Sequence, residues 1–250
     1  MLSKNDIKYL RSLGLSKFRE QRGQFIAEGS KVINEFHAEG WKIFRLYATE
    51  QNGLSTDLRA ETVTRKELER ISQLNHPQDS LAVIDARIFN VELAVKDLGD
   101  LVVLCDHIQD PGNMGTIIRT ADWFGIKHVV CSTDCAEAFS PKVVQASMGS
   151  LARVEVRRMD LAGFIEKMRS GKCQHKVIVT SLKGSDLYST GLPQKCFLVL
   201  GNESQGVGVG LDKLADARLK IPSSGKAESL NVAVSSGILM AEFRRLNPQR

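Results

Sequence analysis

The chain has 250 residues, 42% of them hydrophobic, and a formal net charge of +5, values typical of a globular protein with one large domain or two ordinary ones. No apolar run approaches eighteen residues and no signal-peptide pattern opens the chain, so the sequence predicts neither a membrane span nor a secretory signal. The five scattered cysteines are a poor basis for a disulfide framework or a zinc site. We therefore expect a cytoplasmic protein with buried thiols and no metal.

The first region predicts a small α/β domain. Apolar residues recur at helical spacing near its start, and the short runs rich in β-branched and aromatic residues further along are typical of strands. The predicted elements, in chain order, are a helix over 4–13, a strand over 25–29 followed by a helix through Phe36, a strand over 43–49, a helix over 64–74 and a strand over 81–86.

The second region is more regular. The pattern loses definition over residues 90–99, so we predict a boundary there, between domains of residues 1–95 and 99–250. Beyond it, short apolar runs alternate with helical stretches, which favours a mostly parallel sheet covered on both faces. The predicted strands are 101–108, 128–133, 154–156, 176–181 and 196–201. Ligands usually bind such sheets in loops beyond the carboxyl ends of the strands.

One of these loops leads into a helix with unusual polar residues. Asn113 is suited to an N-cap, and Arg119 points away from an apolar stripe that contains Ile117 and Ala121. The two residues can be an ordinary cap and a surface cation, or they can belong to a ligand site. The sequence of this loop leaves both interpretations open.

Two later loops carry comparable residues. A strand runs into Gly201, Asn202 and Glu203, where backbone amides and a carboxylate can approach a ligand, although Gly-Asn is also an ordinary turn. Ser229 and Asn231 fall where a loop becomes a helix, so they can cap that helix or bond a ligand. Neither a Gly-rich dinucleotide fingerprint nor a P-loop motif occurs.

Three segments, in this order and at these separations, resemble the signature motifs of the SpoU (TrmH-type) RNA ribose 2′-O-methyltransferases. They are NMGTIIRTADWFG, LVLGNESQGV and IPSSGKAESLNVAVSSGI, within residues 100–246. The first region, with RGQFIAEGSKVINE, is similar to a substrate-binding domain often fused ahead of this one, with a small α/β fold shared with RNA-binding ribosomal proteins. The resemblance implies a deep trefoil knot in the second domain, which periodicity does not predict.

The resemblance also implies an activity, the transfer of a methyl group from S-adenosylmethionine to a ribose 2′-hydroxyl of RNA. The first-choice substrate is ribosomal RNA and the second is transfer RNA. In the family, the loop around residues 221–224 wraps the methyl donor, and the helix after it completes the knot and helps to form a homodimer. A methyltransferase of the same fold that acts on a base nitrogen, and an RNA-binding protein that does not catalyse, are the alternatives.

Residue by residue, the resemblance implies two sets of positions. The donor-binding set is Gly201, Ile221 and Leu230, with Leu200 and Thr180 as further candidates at strand ends nearby. The catalytic set is Arg119, which matches the arginine proposed to activate the hydroxyl, and Asn113, Glu203, Ser229 and Asn231, which match the polar residues that orient the hydroxyl and the donor. Because a guanidinium normally keeps its proton, we expect Arg119 to orient the hydroxyl and stabilise the developing alkoxide, with proton removal left open.

Basic residues are unevenly distributed and suit an RNA partner. Acidic residues are outnumbered over the first thirty-one positions, although a solvated helix face would give the same pattern. The predicted phosphate contacts are Lys4, Lys8, Arg11, Lys17, Arg19, Arg22 and Lys31, together with Arg153, Arg157 and Arg158.

Overall fold

The computed structural model describes residues 2–86, 93–202 and 205–248. The helices are α1 (Lys4–Ser12), α2 (Ser16–Arg22), α3 (Ser30–Ala38), α4 (Arg65–Ile71), α5 (Pro111–Trp123), α6 (Pro141–Ser147), α7 (Leu161–Ser170), α8 (Leu187–Thr190), α9 (Val209–Asp212) and α10 (Val232–Leu246). The strands are β1 (Gln24–Glu28), β2 (Ile43–Ala48), β3 (Glu61–Thr62), β4 (Ser80–Asp85), β5 (Leu101–Cys105), β6 (His128–Cys131), β7 (Glu155–Arg158), β8 (Lys176–Asp186), β9 (Cys196–Leu200) and β10 (Ala217–Lys220).

The chain packs as two compact units. One comprises Met1–Asn90 and Glu137–Arg153, and the other comprises Val91–Ala136 and Val154–Arg250. Residues 137–153 therefore pack with the first unit, although they follow the predicted boundary at residues 95–99 in the sequence. A single boundary in the chain does not describe this arrangement. The domain limits derived from the sequence remain a prediction.

The first unit is built on a four-stranded sheet with the order β1-β4-β2-β3. The β1–β4 and β4–β2 pairs are antiparallel, and β2 and β3 are parallel. Helix α4 begins at a capping box, in which Thr64 and Glu67 each bond the other's backbone N–H. The predicted helices and strands of this region are confirmed, whereas α2 and the two-residue β3 have no corresponding prediction.

Arg19 corrects the predicted set of phosphate contacts. Its side chain is 6% exposed, its Nη1 donates to the carbonyl of Leu13 at 2.8 Å, and its guanidinium forms an ion pair with Glu137. A buried arginine with these partners stabilises the fold of the first unit and is not available to phosphate, so the prediction for Arg19 is wrong.

Arg153, Arg157 and Arg158 are also engaged by the protein itself. Arg153 pairs with Glu35, and the largely buried Arg157 pairs with Glu155. The remaining member, Arg158, donates to the backbone carbonyl of Thr133. These contacts hold the three guanidinium groups in local structure, and their predicted role as phosphate contacts stays a prediction.

The second unit contains a six-stranded sheet with the order β10-β8-β9-β5-β6-β7, and each of its pairs is parallel. The predicted mostly parallel sheet is thus confirmed. Every residue of β5, β6 and β9 is buried, as expected for strands covered on both faces. The edge strand β10 buries only Leu219, which explains why no apolar run marks it in the sequence. The knot stays a prediction.

This sheet order fixes where the loops meet. Because β8, β9 and β5 are neighbours and parallel, the segments that follow them leave the sheet at the same end.

Four of the cysteines, Cys105, Cys131, Cys135 and Cys196, are buried as free thiols, as predicted. Within the described residues, no helix is long and apolar enough to cross a membrane, and no group of three or more metal-ligating side chains is found.

Candidate active site

A cavity of about 630 Å³ opens at the carboxyl ends of β8 and β9. Its walls come from the end of β8, the turn after β9, the segment after β10 and the start of α10. All five residues of the predicted donor-binding set line it, as does Ser229: Thr180, Leu200, Gly201, Ile221, Leu230 and Ser229. Segments distant in the sequence therefore converge on one cavity.

Gly201 begins a turn that folds back tightly on itself. Asn202 and Gly206 exchange two backbone hydrogen bonds, of 3.0 and 2.8 Å. A Cβ atom at position 201 would lie 2.3 Å from the carbonyl carbon of Gly206 and 2.4 Å from the nitrogen of Val207. Only glycine fits there, and the close approach leaves backbone groups of this turn at the cavity wall. The predicted Glu203 lies outside the described residues.

Another wall of the cavity is a largely exposed loop. Residues 222–230 are exposed, including Leu230 at 46%, and Leu182 on β8 is 71% exposed beside the same cavity. Thr180 is more restricted, since its Oγ1 donates to the carbonyl of Val199 at 3.1 Å. The cavity thus presents apolar side chains together with backbone polar groups, a composition suited to a small organic ligand.

A paired arginine and aspartate stand among the lining residues. Arg218 donates from Nε to Oδ1 of Asp212 and from Nη2 to Oδ2, each at 2.8 Å. The hydrogen bonds from Arg218 lower the pKa of Asp212 below its usual value. The carboxylate therefore stays ionised near neutral pH, and the two charges offset each other at the rim of the cavity.

Two predicted catalytic residues are in direct contact. Nδ2 of Asn231 donates to Oδ1 of Asn113 at 2.9 Å. Asn231 is also the N-cap of α10, because its Oδ1 accepts from the N–H groups of Ala233 and Val234. Asn231 therefore caps α10, as one of its two predicted uses requires, and its contact with a ligand stays a prediction.

Asn113 does not cap α5. The helix begins earlier, at Pro111, and its N-cap is Asp110, whose Oδ1 accepts from the backbone N–H of Asn113 at 2.8 Å. An aspartate followed by proline is a strong helix start, which explains the shift. The side chain of Asn113 is therefore not the cap, and its Oδ1 accepts the hydrogen bond from Asn231.

Arg119 lies on the solvent-exposed side of α5, between Thr116 and Trp123. Its guanidinium has no hydrogen bond or ion pair with the residues that the structure describes. Arg119 and Asn113 are both outside the lining of the cavity, so the structure does not bring them into the same pocket as the donor-binding set. Helix α5, which carries them, packs against α10.

Sequence reasoning missed several lining residues. Ser181, Leu182 and Lys183 lie in β8, and Leu219 and Lys220 lie at the end of β10. The others are Gln205, Val207 and Leu239. The edge strand β10 carries no apolar pattern that would have marked it. Strand β8 extends beyond its predicted end because it pairs with β10, and the periodicity of its sequence gives no sign of this extension.

The fold and cavity define an α/β protein that binds a small molecule at the carboxyl edge of a parallel sheet. The chain belongs to the SpoU rRNA methylase family, whose model matches residues 100–241. A second model, the MRM3-like substrate binding domain, matches residues 4–82. These matches confirm the predicted enzyme class, an RNA methyltransferase that uses S-adenosylmethionine.

Full-length relatives support the assignment. The chain is 29% identical over 243 residues to a 23S rRNA (guanosine(2553)-2′-O)-methyltransferase of Bacillus subtilis, covering 95% of each protein. It superimposes with a TM-score of 0.86 on a TrmH-family structure from Porphyromonas gingivalis, at 38% identity, covering 98% of this chain and 99% of that one. An S-adenosylmethionine-bound rRNA methyltransferase from Sinorhizobium meliloti gives a TM-score of 0.83 at 30% identity, covering 98% and 97% of the two chains.

The cavity fits this methyl donor. Its volume of about 630 Å³ is within the range of roughly 300–1,000 Å³ typical of cofactor sites. Ile221 and Leu230 offer apolar surface to an adenine ring, and the turn at Gly201 offers backbone groups where any side chain would collide. Leu200 also lines the cavity but is only 1% exposed. When bound, the donor supplies a methyl group on a sulfonium centre.

Proposed function

We propose that this protein methylates a ribose 2′-hydroxyl of ribosomal RNA in the cytoplasm. One observation carries the proposal most directly: Asn231 bonds Asn113 immediately after Leu230, a residue of the cavity wall. Two of the polar residues that the family resemblance assigns to the acceptor hydroxyl thus lie next to the predicted donor site.

The chemistry asks mainly for positioning. A 2′-hydroxyl is a weak nucleophile, and in-line displacement at the methyl carbon is fastest when the oxygen, carbon and sulfur atoms are collinear. In our proposal Asn113, Ser229 and Asn231 orient the hydroxyl, with Glu203 as a further member of the set. Arg119, exposed and free of partners among the described residues, supplies positive charge to the oxygen as the hydroxyl proton passes to solvent water.

The coverage of the relatives supports ribosomal RNA over transfer RNA. The Bacillus subtilis relative, named for 23S rRNA, is matched over 95% of this chain, which includes the first unit. A solved protein titled for 2-OH methylation of C/U34 on tRNA covers only 58% of this chain, with a TM-score of 0.52. The first unit is therefore the part most closely associated with the rRNA-directed relatives, and we assign RNA binding to it.

Helix α1 offers a surface for that role. Lys4, Lys8 and Arg11 are exposed and recur at helical spacing, so they form one basic stripe. Phosphate contacts release condensed counterions, so RNA affinity should fall steeply between 50 and 200 mM salt, on the order of tenfold or more for a few contacts. Replacing all three by Gln should flatten this dependence, and an unchanged slope would remove the stripe from the RNA interface.

We also propose a homodimer formed through α5 and α10. Each helix presents large apolar side chains to solvent: Trp123 is 84% exposed on α5, and Val234 and Leu246 are 52% and 38% exposed on α10. Such surface is normally covered. Light scattering should give twice the chain mass for the wild type and the chain mass for Trp123→Glu. Val209→Glu alters a 73% exposed apolar residue off these helices and should leave the mass unchanged.

A methyl-transfer assay tests the activity itself. The purified protein is incubated with ribosomal RNA from cells that lack it and with S-adenosylmethionine carrying a deuterated methyl group, and the product nucleosides are then analysed by mass spectrometry. We expect the label in a single 2′-O-methyl nucleoside. Label on a base would support the rival reaction, and protein that binds the donor but transfers no label to any RNA would support a non-catalytic role.

A further inference from the structure

The turn after β9 is held at both ends by two consecutive residues of another loop. At its start, Nδ2 of Asn202 donates to the backbone carbonyl of His107 at 3.1 Å. At its end, the N–H of Gly208 donates to Oδ2 of Asp106 at 2.7 Å. Because β5 and β9 are paired strands, the residues that directly follow β5, Asp106 and His107, lie beside the turn that follows β9.

Asp106 is a buried carboxylate with both oxygens engaged. Its side chain is 4% exposed, and its Oδ1 lies 2.7 Å from Nδ1 of His107 while Oδ2 accepts from Gly208. The backbone N–H of Asp106 also donates to the carbonyl of Leu200 at 2.8 Å. A buried charge is costly unless it is hydrogen-bonded, so this carboxylate is fixed in the orientation that meets the turn.

His107 supports the same arrangement through its backbone. Its φ of 57° lies in the left-handed region, which residues other than glycine rarely adopt. Its N–H donates to Oγ of Ser132 at 3.0 Å, and its Nε2 lies 3.2 Å from Oδ2 of Asp134. Strained conformations persist where the surroundings over-determine them, and here the conformation directs the carbonyl of His107 to Asn202.

The turn held in this way forms one wall of the cavity. Gly201, Asn202, Gln205, Gly206 and Val207 all line it, whereas Asp106 is not among the described lining residues. We propose that Asp106 is a positioning residue for the methyl donor: its carboxylate fixes the end of the turn whose backbone binds S-adenosylmethionine. The inference rests on the proposed function and adds to it a residue that acts through the turn without touching the donor.

The test compares two substitutions at Asp106 by calorimetry with S-adenosylmethionine alone. Asp106→Ala removes the acceptor and should weaken donor binding by about tenfold or more, whereas Asp106→Asn keeps one oxygen for Gly208 and should give a smaller loss. RNA affinity should stay within about twofold for both, which a general loss of structure would not allow. Donor affinity unchanged in Asp106→Ala, or donor and RNA affinity reduced by one common factor, would overturn the proposal.

Two further variants separate the carboxylate from its neighbours. His107→Gly keeps the carbonyl and relieves the left-handed backbone, so we expect a smaller loss of donor affinity than in Asp106→Ala. Should His107→Gly prove worse than Asp106→Ala, the imidazole is the anchor and the proposal fails. Asp134→Asn, whose carboxylate is 58% exposed and bonds only the far side of the imidazole among the contacts described, is the control and should bind normally.

The same experiment distinguishes this inference from the proposed function. Wild-type protein that does not bind S-adenosylmethionine would contradict the proposed function itself. Wild-type protein that binds the donor, together with an Asp106→Ala variant that binds it equally well, would contradict only the role of Asp106.

Discussion

Asn231 and Asn113 are 118 residues apart in the chain and are joined by a hydrogen bond of 2.9 Å between their side chains. The side-chain oxygen of Asn231 caps α10, and the residue before it, Leu230, lines the cavity. One side chain thus connects the start of the last helix, the start of α5 and the edge of the donor site. Its two functions can be separated by substitution.

Asn231→Asp keeps an oxygen acceptor for the cap and removes the amide that donates to Asn113. We expect turnover to fall by about tenfold or more, while the melting temperature shifts by no more than a few degrees. Asn231→Ala also loses the cap, which costs about 1 kcal/mol, and should lower the melting temperature further. Turnover and thermal unfolding are measured on the same preparations.

The control for capping is Asp160, the N-cap of α7, whose carboxylate accepts from Gly163 at 2.9 Å. Asp160→Ala should destabilise the protein much as loss of the Asn231 cap does, yet leave turnover per folded molecule unchanged. If Asn231→Asp retains full turnover, the bond to Asn113 has no part in catalysis.

Arg119→Ala should lower kcat by about a hundredfold or more, the scale for removal of a group that stabilises a developing oxyanion. Donor affinity should stay within about twofold, because Arg119 is not part of the cavity lining. Thr116→Ala, one turn earlier on the same exposed side of α5, is the matched control. Wild-type kcat in Arg119→Ala would exclude the proposed role.

Gly201→Ala should weaken donor binding, since its Cβ would lie 2.3 Å from the backbone of Gly206 and force the turn open. We expect a loss of tenfold or more, on the order of 1.4 kcal/mol, in calorimetry with S-adenosylmethionine. Gly210→Ala adds the same methyl group where nothing lies within 4 Å, so it should bind normally. Equal affinities for the two variants would show that the turn is not part of the donor site.

Most of the second unit could be predicted because its strands are buried on both faces. Apolar runs in the sequence predict β5, β6, β8 and β9, and β7 lies close to its predicted position. The edge strands β3 and β10 could not be predicted, since they hold few buried residues and depend on their neighbours. The return of residues 137–153 to the first unit is a tertiary contact that leaves no periodic signal.

At the site, the sequence motifs predicted which loops matter but not how their residues are used. The cap of α5 is Asp110 and not Asn113, whose side chain instead contacts Asn231, and Arg19 is a buried ion-pair partner of Glu137. Residue type alone cannot distinguish these outcomes, because an asparagine or arginine finds its partner only when the chain has folded.

Asp79 gives the stability of the first unit a dependence on pH. Burial acts to raise the pKa of Asp79, but hydrogen bonds from Ser30, Ser80 and Gly53 outweigh it and hold the pKa below its usual value. The pKa of an aspartate in the unfolded chain is about 3.9, and at pH values above it a carboxyl group with a lowered folded-state pKa stabilises the fold. This contribution is lost as the pH falls through the pKa of the folded state.

Asp79→Asn should therefore lower the free energy of unfolding by roughly 1–3 kcal/mol at pH 7, and its difference from the wild type should shrink below about pH 4. Thermal unfolding between pH 3 and pH 7 measures this. Glu61→Gln, an exposed carboxylate change in β3, should show no such trend. A difference that is constant across the whole range would exclude the ionised carboxylate as its cause.

The central claim is that this chain methylates the ribose of a defined nucleotide. The most direct measurement compares 2′-O-methylation at every position of all cellular RNAs in cells with the protein, in cells without it, and in cells without it that are resupplied with either the wild-type protein or Arg119→Ala. We predict that one ribosomal RNA position loses its ribose methyl group when the protein is absent and that the wild-type protein, but not Arg119→Ala, restores it. An unchanged ribose-methylation map, or the loss of a base methyl group instead, would contradict the account.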